Sequence, residues 1–448
     1  MVNLNKLPAV EAAEGIREKK FTAEELMRDC LERISIREND IQAWAYINPE
    51  YALDQAKQAD RHQNDGKSLG PLHGLPIGVK DVIDTEDMPT ENGSPINEGR
   101  RPQKDALCVA ALRRAGAIIL GKTVTTELAN INPSKTRNPH NIEYSPGGSS
   151  AGSGAGVADY HMPLALGTQT GGSVIRPASF NGIYGLKPTL GIIPRDGVLL
   201  QSHTLDTIGV YGRTLEDLAF ISDTISVSDP DDAQSYKGSR SLLWPQHIQV
   251  PTHTPTFGFF KTPAWSEAHP AAQEAIIKVT KILGNKCKNG VLPAPFDDII
   301  NLHATVFSAE NAHYYGSYLK NKSHLLSENL HRRLESTKDI LARDYIAALE
   351  AKDIIYKSAE KFLDDHDAIL CLAAPGPAPH GFETTGSAIF NGLWTYLGVP
   401  CISLPLLTVE DMPLGLQLVG KRGEEGKLFQ NAKWLEKFLY GKVSESFN

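Results

Sequence analysis

Hydrophobic and polar positions alternate along the chain with two periods, and the periods change at glycine and proline. Residues 7–36 predict two helices. Thr22 followed by Glu25 forms a capping box, and Met27, Leu31 and Ile34 fall on one face beyond it. Residues 54–68 are polar and predict an exposed helix end and loop. The apolar run LPIGV reads as a strand that delivers Lys80 at its end. Residues 105–120 read as a helix, a stop at Gly116, then a buried strand. MPLALGT, between two Gly/Ser clusters, predicts a strand, and Leu215–Ile225 a helix. Residues 226–255 are polar and proline-rich and read as a surface excursion within one unit, because FGFF at 257–260 resumes a buried-strand pattern. Charged helices are expected over 322–365, and strands at AILCLAAP, CISLPL and GLQLVG. Helices interleaved with short apolar strands define an α/β class.

Composition narrows the function. The chain has 448 residues, 41% hydrophobic and 22% charged, with a formal net charge of −8. That balance argues against a nucleic-acid surface or an anionic membrane as direct partner. The five cysteines are scattered and form no CxxC pair, so neither a disulfide framework nor a zinc site is expected. With no signal-like N-terminus and no run of ~18 apolar residues, the expectation is a cytoplasmic protein without a membrane span.

Three segments could carry chemistry: GLPIGVKD (74–81), SPGGSSAGSGAG (145–156) and GTQTGGSVIRPASFNG (167–182). In the third, Ser173 follows two glycines. Such a backbone can turn consecutive N–H groups to one side, as an oxyanion hole requires. A serine hydroxyl needs a base to become a nucleophile. The histidines fall in no triad pattern, whereas Lys80 ends an apolar run, and burial would lower its pKa and free its lone pair. Ser149 or Ser150 could relay a proton between Lys80 and Ser173.

In that order, GLPIGVKD, GGSSAGSGAG and TGGSVIRPAS resemble the amidase signature family. The likeness runs from about residue 7 to 220 and resumes at NGLWTYLGVPCISLPL and PLGLQLVG. The resemblance implies one α/β/α unit spanning 1–448 around a central mixed, largely parallel sheet, with the site at the strand ends. It implies Ser173 as nucleophile, Ser149 as relay after a cis Gly148–Ser149 bond, and Lys80 as base. Backbone N–H groups of Thr170, Gly171, Gly172 and Ser173 would form the oxyanion hole, with Ser150 hydrogen-bonding Ser149 or Lys80. The expected reaction is hydrolysis of a small carboxamide through an acyl-enzyme, without cofactor or metal, in a possible homodimer. The family commonly has an acid where Gln169 stands and an arginine at the place of Ile175. Here the arginine is Arg176, which leaves its role, and that of Gln169, toward substrate open. Glu127 and Trp394 are candidate substrate contacts, and Asp206 and Arg213 a candidate structural ion pair.

Other readings compete. A catalytic amidase subunit of a tRNA-dependent amidotransferase would share fold and triad, with a partner binding the tRNA. GSSAG matches the GxSxG elbow of an α/β-hydrolase esterase, with Ser150 as nucleophile. GAIILGKT matches a phosphate-loop expression, but its apolar middle prefers a buried strand.

Overall fold

The computed structural model describes residues 3–239, 243 and 249–445, and side chains as far as 441. Eleven strands join in one sheet. In chain order they are β1 (Trp44–Ile47), β2 (Pro76–Lys80), β3 (Ile118–Thr123), β4 (Leu164–Gln169), β5 (Tyr184–Lys187) and β6 (Thr207–Gly212). Then come β7 (Phe257–Phe260), β8 (Cys287–Gly290), β9 (Ala368–Leu372), β10 (Cys401–Val409) and β11 (Met412–Val419). The order across the sheet is β1-β3-β2-β4-β6-β5-β10-β11-β9-β7-β8.

The sheet is mixed, as expected. Its parallel pairs are β2–β3, β2–β4, β7–β8 and β7–β9, grouped toward the two ends. The six remaining pairings are antiparallel, so parallel pairs are fewer than expected. The centre, β4-β6-β5-β10-β11-β9, is antiparallel throughout.

Thirteen α-helices accompany the strands among the described residues. The N-terminal ones are α1 (Ala9–Arg17), α2 (Ala23–Ile41), α3 (Pro49–Asn64) and α4 (Leu107–Arg114). Thr22 and Glu25 close the predicted capping box at the start of α2. Gly116 stops the chain beyond α4 with a φ of 85°, in the left-handed region that favours glycine. Next come α5 (Ala151–Ala158), α6 (Ile175–Phe180), α7 (Leu215–Ile225) and α8 (Pro270–Leu283). The C-terminal part adds α9 (Ile299–Asn321), α10 (Glu328–Thr337), α11 (Ala342–Asp364), α12 (Ile389–Tyr396) and α13 (Glu425–Glu445).

The Gly/Ser cluster at 145–156 is buried and becomes α5. A Cβ at Gly152 would lie 2.1 Å from the Ala43 carbonyl oxygen and 2.5 Å from the Val124 nitrogen. Glycine is there so that a helix can touch the backbone of its neighbours. The described parts of 226–255 hold no helix or strand, and the rest lies outside the described residues. That excursion is pinned where Arg195 meets Asp232 at 2.8 Å. No helix among the described residues is long and apolar enough to cross a membrane.

Candidate active site

Strand β2 is buried at every position and ends on Lys80, which is 0% exposed. Its Nζ donates to Ser149 Oγ and Thr168 Oγ1, both at 2.7 Å. The sequence does not single out Thr168. It belongs to β4, which pairs in parallel with β2, and only that pairing brings it beside Lys80. No acid stands at ion-pair distance from Lys80 among the described residues. The adjacent Asp81 faces another buried lysine, Lys122, at 3.6 Å. Burial holds the Lys80 pKa well below its ordinary value, opposed by the charge of Asp206 and assisted by Arg176.

The Gly148–Ser149 peptide bond is cis, as the resemblance implied. Hydrogen bonds hold its own carbonyl and the one that follows. Arg176 Nη2 donates to the Gly148 oxygen at 2.6 Å, and the Thr126 N–H to the Ser149 oxygen at 3.1 Å. Arg176 Nη1 donates to the Gly386 carbonyl, also at 2.6 Å. Arg176 therefore braces the backbone around Ser149, and burial lowers its pKa to about 10.

The segment from Thr170 to Ser173 leads from β4 into α6 and lines a cavity of about 310 Å³. Four groups hold it. The Thr170 hydroxyl donates to Asp206 at 2.5 Å, while Asp206 also accepts from the Gln201 and Ser202 N–H groups at 2.7 and 3.0 Å. His303 of α9 donates from Nε2 to the Thr170 carbonyl at 3.0 Å, and burial presses its pKa down to about 4. Gln169 accepts from the N–H groups of Val174 and Ile175 at 2.8 and 3.0 Å and donates to Thr395 at 2.9 Å. Thr395 donates in turn to the Gly171 carbonyl at 2.7 Å. Gln169 thus secures the turn into α6 from behind the cavity. The carbonyls of Thr170 and Gly171 are thus engaged by helices α9 and α12, which holds this stretch of backbone in place.

Lys80 and Ser149 are therefore in contact, and Ser173 opens on the cavity beside the glycines. The Ser149 to Ser173 link is not formed here, since the Ser173 hydroxyl makes no hydrogen bond among the described residues. Catalytic hydrogen bonds commonly close only around substrate.

Several expectations need correction. The Ser150 hydroxyl does not reach Ser149 or Lys80. It is fully buried and exchanges hydrogen bonds with the Thr168 backbone, donating at 3.3 Å and accepting at 3.2 Å. It thereby supports the strand carrying Thr168, and a hydroxyl so enclosed cannot serve as an esterase nucleophile. Glu127 lines a different cleft, and its carboxylate accepts from the Ser327 hydroxyl and N–H at the start of α10. Trp394 is a core residue, 0% exposed, with its ring 6.5 Å from Phe296. Arg213 does not pair with Asp206: it donates to the carbonyls of Met162 and Asn5, beside Asp217. The phosphate-loop match is buried strand β3, with Lys122 donating to the Ile83 carbonyl at 2.8 Å and Thr90 at 2.5 Å. His303 and Arg333 at the cavity, and Asp206 behind its wall, are the residues that sequence reasoning does not assign to the site. His303 and Arg333 belong to helices whose pattern carries no motif. No group of three metal-ligating side chains occurs among the described residues.

This arrangement belongs to a recognised class. The family model Amidase matches residues 25–429, and the chain belongs to that family, whose enzymes act on C–N bonds. The A-subunit of glutamyl-tRNA(Gln) amidotransferase from Clostridium botulinum (strain Eklund 17B / Type B) is 32% identical over 94% of this chain and 96% of its own. The solved protein of the same name from Thermotoga maritima is 25% identical, with a TM-score of 0.81 over 98% of this chain and 96% of that one. The peptide amidase from Stenotrophomonas maltophilia is 27% identical, also with a TM-score of 0.81, over 96% of both chains.

Proposed function

We propose that this chain cleaves a carboxamide through an acyl-enzyme on Ser173, with Lys80 as base and Ser149 as relay. The observation that carries the reading is the wholly buried Lys80, unpaired with any described acid and bonded to two hydroxyls. A neutral amine has a lone pair to accept a proton, and a dry site keeps it neutral.

Lys80 takes the Ser149 proton as Ser149 takes that of Ser173. The Ser173 oxygen bonds to the amide carbon, and the N–H groups of the 170–173 loop receive the negative oxygen. The Lys80 ammonium returns its proton through Ser149 to the nitrogen. The C–N bond breaks and ammonia or an amine leaves. Water, deprotonated along the same path, then attacks the Ser173 ester, releasing the acid and restoring the hydroxyl.

The sequence relatives favour a second reading of the same chemistry. Their amidotransferase name, at 32% identity over nearly the whole chain, supports an amidase component that passes ammonia to an acceptor held by a partner. A stand-alone hydrolase is supported by the likeness to a peptide amidase. The test common to both is ammonia release from primary amides by the wild type and by Ser173→Ala. Release should vanish in the variant, and hydroxylamine should trap the acyl group in the wild type. Undiminished hydrolysis by Ser173→Ala would remove the assignment.

A further inference from the structure

A second cleft shares a wall with the catalytic cavity. Glu127 lines this cleft, whereas Ala129 and Asn130, a few residues on, line the cavity. Its volume is about 500 Å³, and residues just beyond β2 and β3 help to form it: Asp81, Val124 and Thr125. Four acids and one base line it, Asp81, Glu91, Glu98 and Glu127 against Lys135. Asp81 is balanced by Lys122 at 3.6 Å. Among the described residues the other three acids form no ion pair, and neither does the exposed Lys135. The cleft therefore keeps an excess of negative charge.

Two buried polar atoms turn that charge into a site. Thr125 lines the cleft, is 3% exposed, and its hydroxyl has no hydrogen-bond partner. Asn92 is 4% exposed, and its Oδ1 has none either. Asn92 stands between two lining residues, Glu91 and Gly93. Gly93 lies so close to Thr125 that a Cβ on it would come within 2.9 Å of the Thr125 carbonyl oxygen. Buried polar atoms are almost always satisfied, and an amide oxygen only accepts, so the missing partner is a donor. The carboxylates add free acceptors. Glu91 uses one oxygen on the Gly99 N–H at 2.8 Å, and Glu98 accepts from no group among the described residues. Ala45, Pro95, Val124 and Pro133 supply apolar wall between them. No three metal-ligating side chains converge among the described residues, which leaves an organic cation as the fitting donor.

We infer that this cleft binds a short aliphatic diamine. One ammonium is received by the Thr125 hydroxyl, the other by the free carboxylate oxygens of Glu91 and Glu98, with the methylene chain against Val124 and the prolines. The volume suits a compact ligand of this kind. The site stands apart from the acyl-transfer reading and does not depend on it.

Calorimetric titration of 1,4-diaminobutane into the Ser173→Ala protein tests this with turnover removed. The diamine should bind at one site, and butylamine, which has a single charge, ~10-fold more weakly. Thr125→Val, nearly the same shape without the hydroxyl, should weaken diamine binding ~10-fold or more, the scale of one hydrogen bond to a charged group. Glu98→Gln, at an exposed position that cannot upset folding, should weaken it ~3–5-fold. The melting temperature of unliganded Thr125→Val should match or exceed that of its parent, because the hydroxyl bonds to nothing in the fold. A lower one would mean that the fold itself uses the hydroxyl, and would overturn the inference. So would no binding at low-millimolar diamine, butylamine bound as tightly as the diamine, or affinity unmoved by Thr125→Val or by Glu98→Gln, which is general attraction to an acidic chain.

Discussion

Lys80→Met should cut turnover sharply and change how stability depends on pH. Methionine keeps most of the volume and removes the ionisable group. In the native chain burial holds the Lys80 pKa well below the ordinary value of 10.5, whereas in the unfolded chain it returns to that value. Between the two, the unfolded state binds one proton that the native state does not. Stability of the wild type therefore rises with pH across this window, by ~1.4 kcal/mol per pH unit. It falls as pH drops toward the native pKa, below which the penalty for burying the amine is complete. If the amine is neutral at pH 7, as the chemistry needs, then pH 7.5–9.5 lies inside the window. Urea unfolding of both proteins at those two pH values should show the wild type gaining ~2.7 kcal/mol relative to Lys80→Met. The hydroxyls of Ser149 and Thr168 lose a partner in the variant, but equally at both pH values, so the difference is unaffected. Turnover should fall ~10²–10⁴-fold, the usual contribution of a general base, and high pH should not restore it. A stability difference that stays flat with pH would mean that Lys80 is charged in the native protein, and the proton path would fail with it.

Gly172→Ala would place a Cβ 2.4 Å from Asn391 Oδ1 and 2.9 Å from the Ala388 Cβ. The loop at 170–173 must shift, so kcat should drop ~10²-fold while circular dichroism stays native. Asp206→Asn removes a negative charge that raises the Lys80 pKa, so the acid limb of the kcat/KM profile should move to lower pH. Loosening of Thr170 should lower kcat ~10-fold in the same variant; an acid limb that moves upward would contradict the coupling. Glu127→Ala should destabilise the protein by ~1–3 kcal/mol through the start of α10, with KM unchanged. A raised KM at unchanged stability would return Glu127 to the substrate.

The strand ending on Lys80 could be read from LPIGV because a fully buried strand needs no partner pattern to be recognised. TGGS and GGSS were legible because glycine and serine cluster beside apolar runs. The long-range partners were not. His303 meets the Thr170 carbonyl across 133 positions, and Gln169 meets Thr395 across 226. Such contacts follow from strand order, which alternation alone does not encode. Glu127 and Trp394 misled for a related reason. A polar residue near a motif and an aromatic near a strand look alike whether they face a cavity or a helix cap.

The loop at 170–173 is gripped by side chains from residues 303 and 395, well beyond every motif that supplies the proposed nucleophile, relay and base. A nascent chain that has exposed only its first 220 residues would own all the reacting groups and none of the outer grip. Hydrolytic competence should thus arrive late during synthesis, when α9 and α12 dock. Activity then becomes a sensitive gauge of complete folding, and fragments left by proteolysis ahead of α9 should be harmless to amides around them.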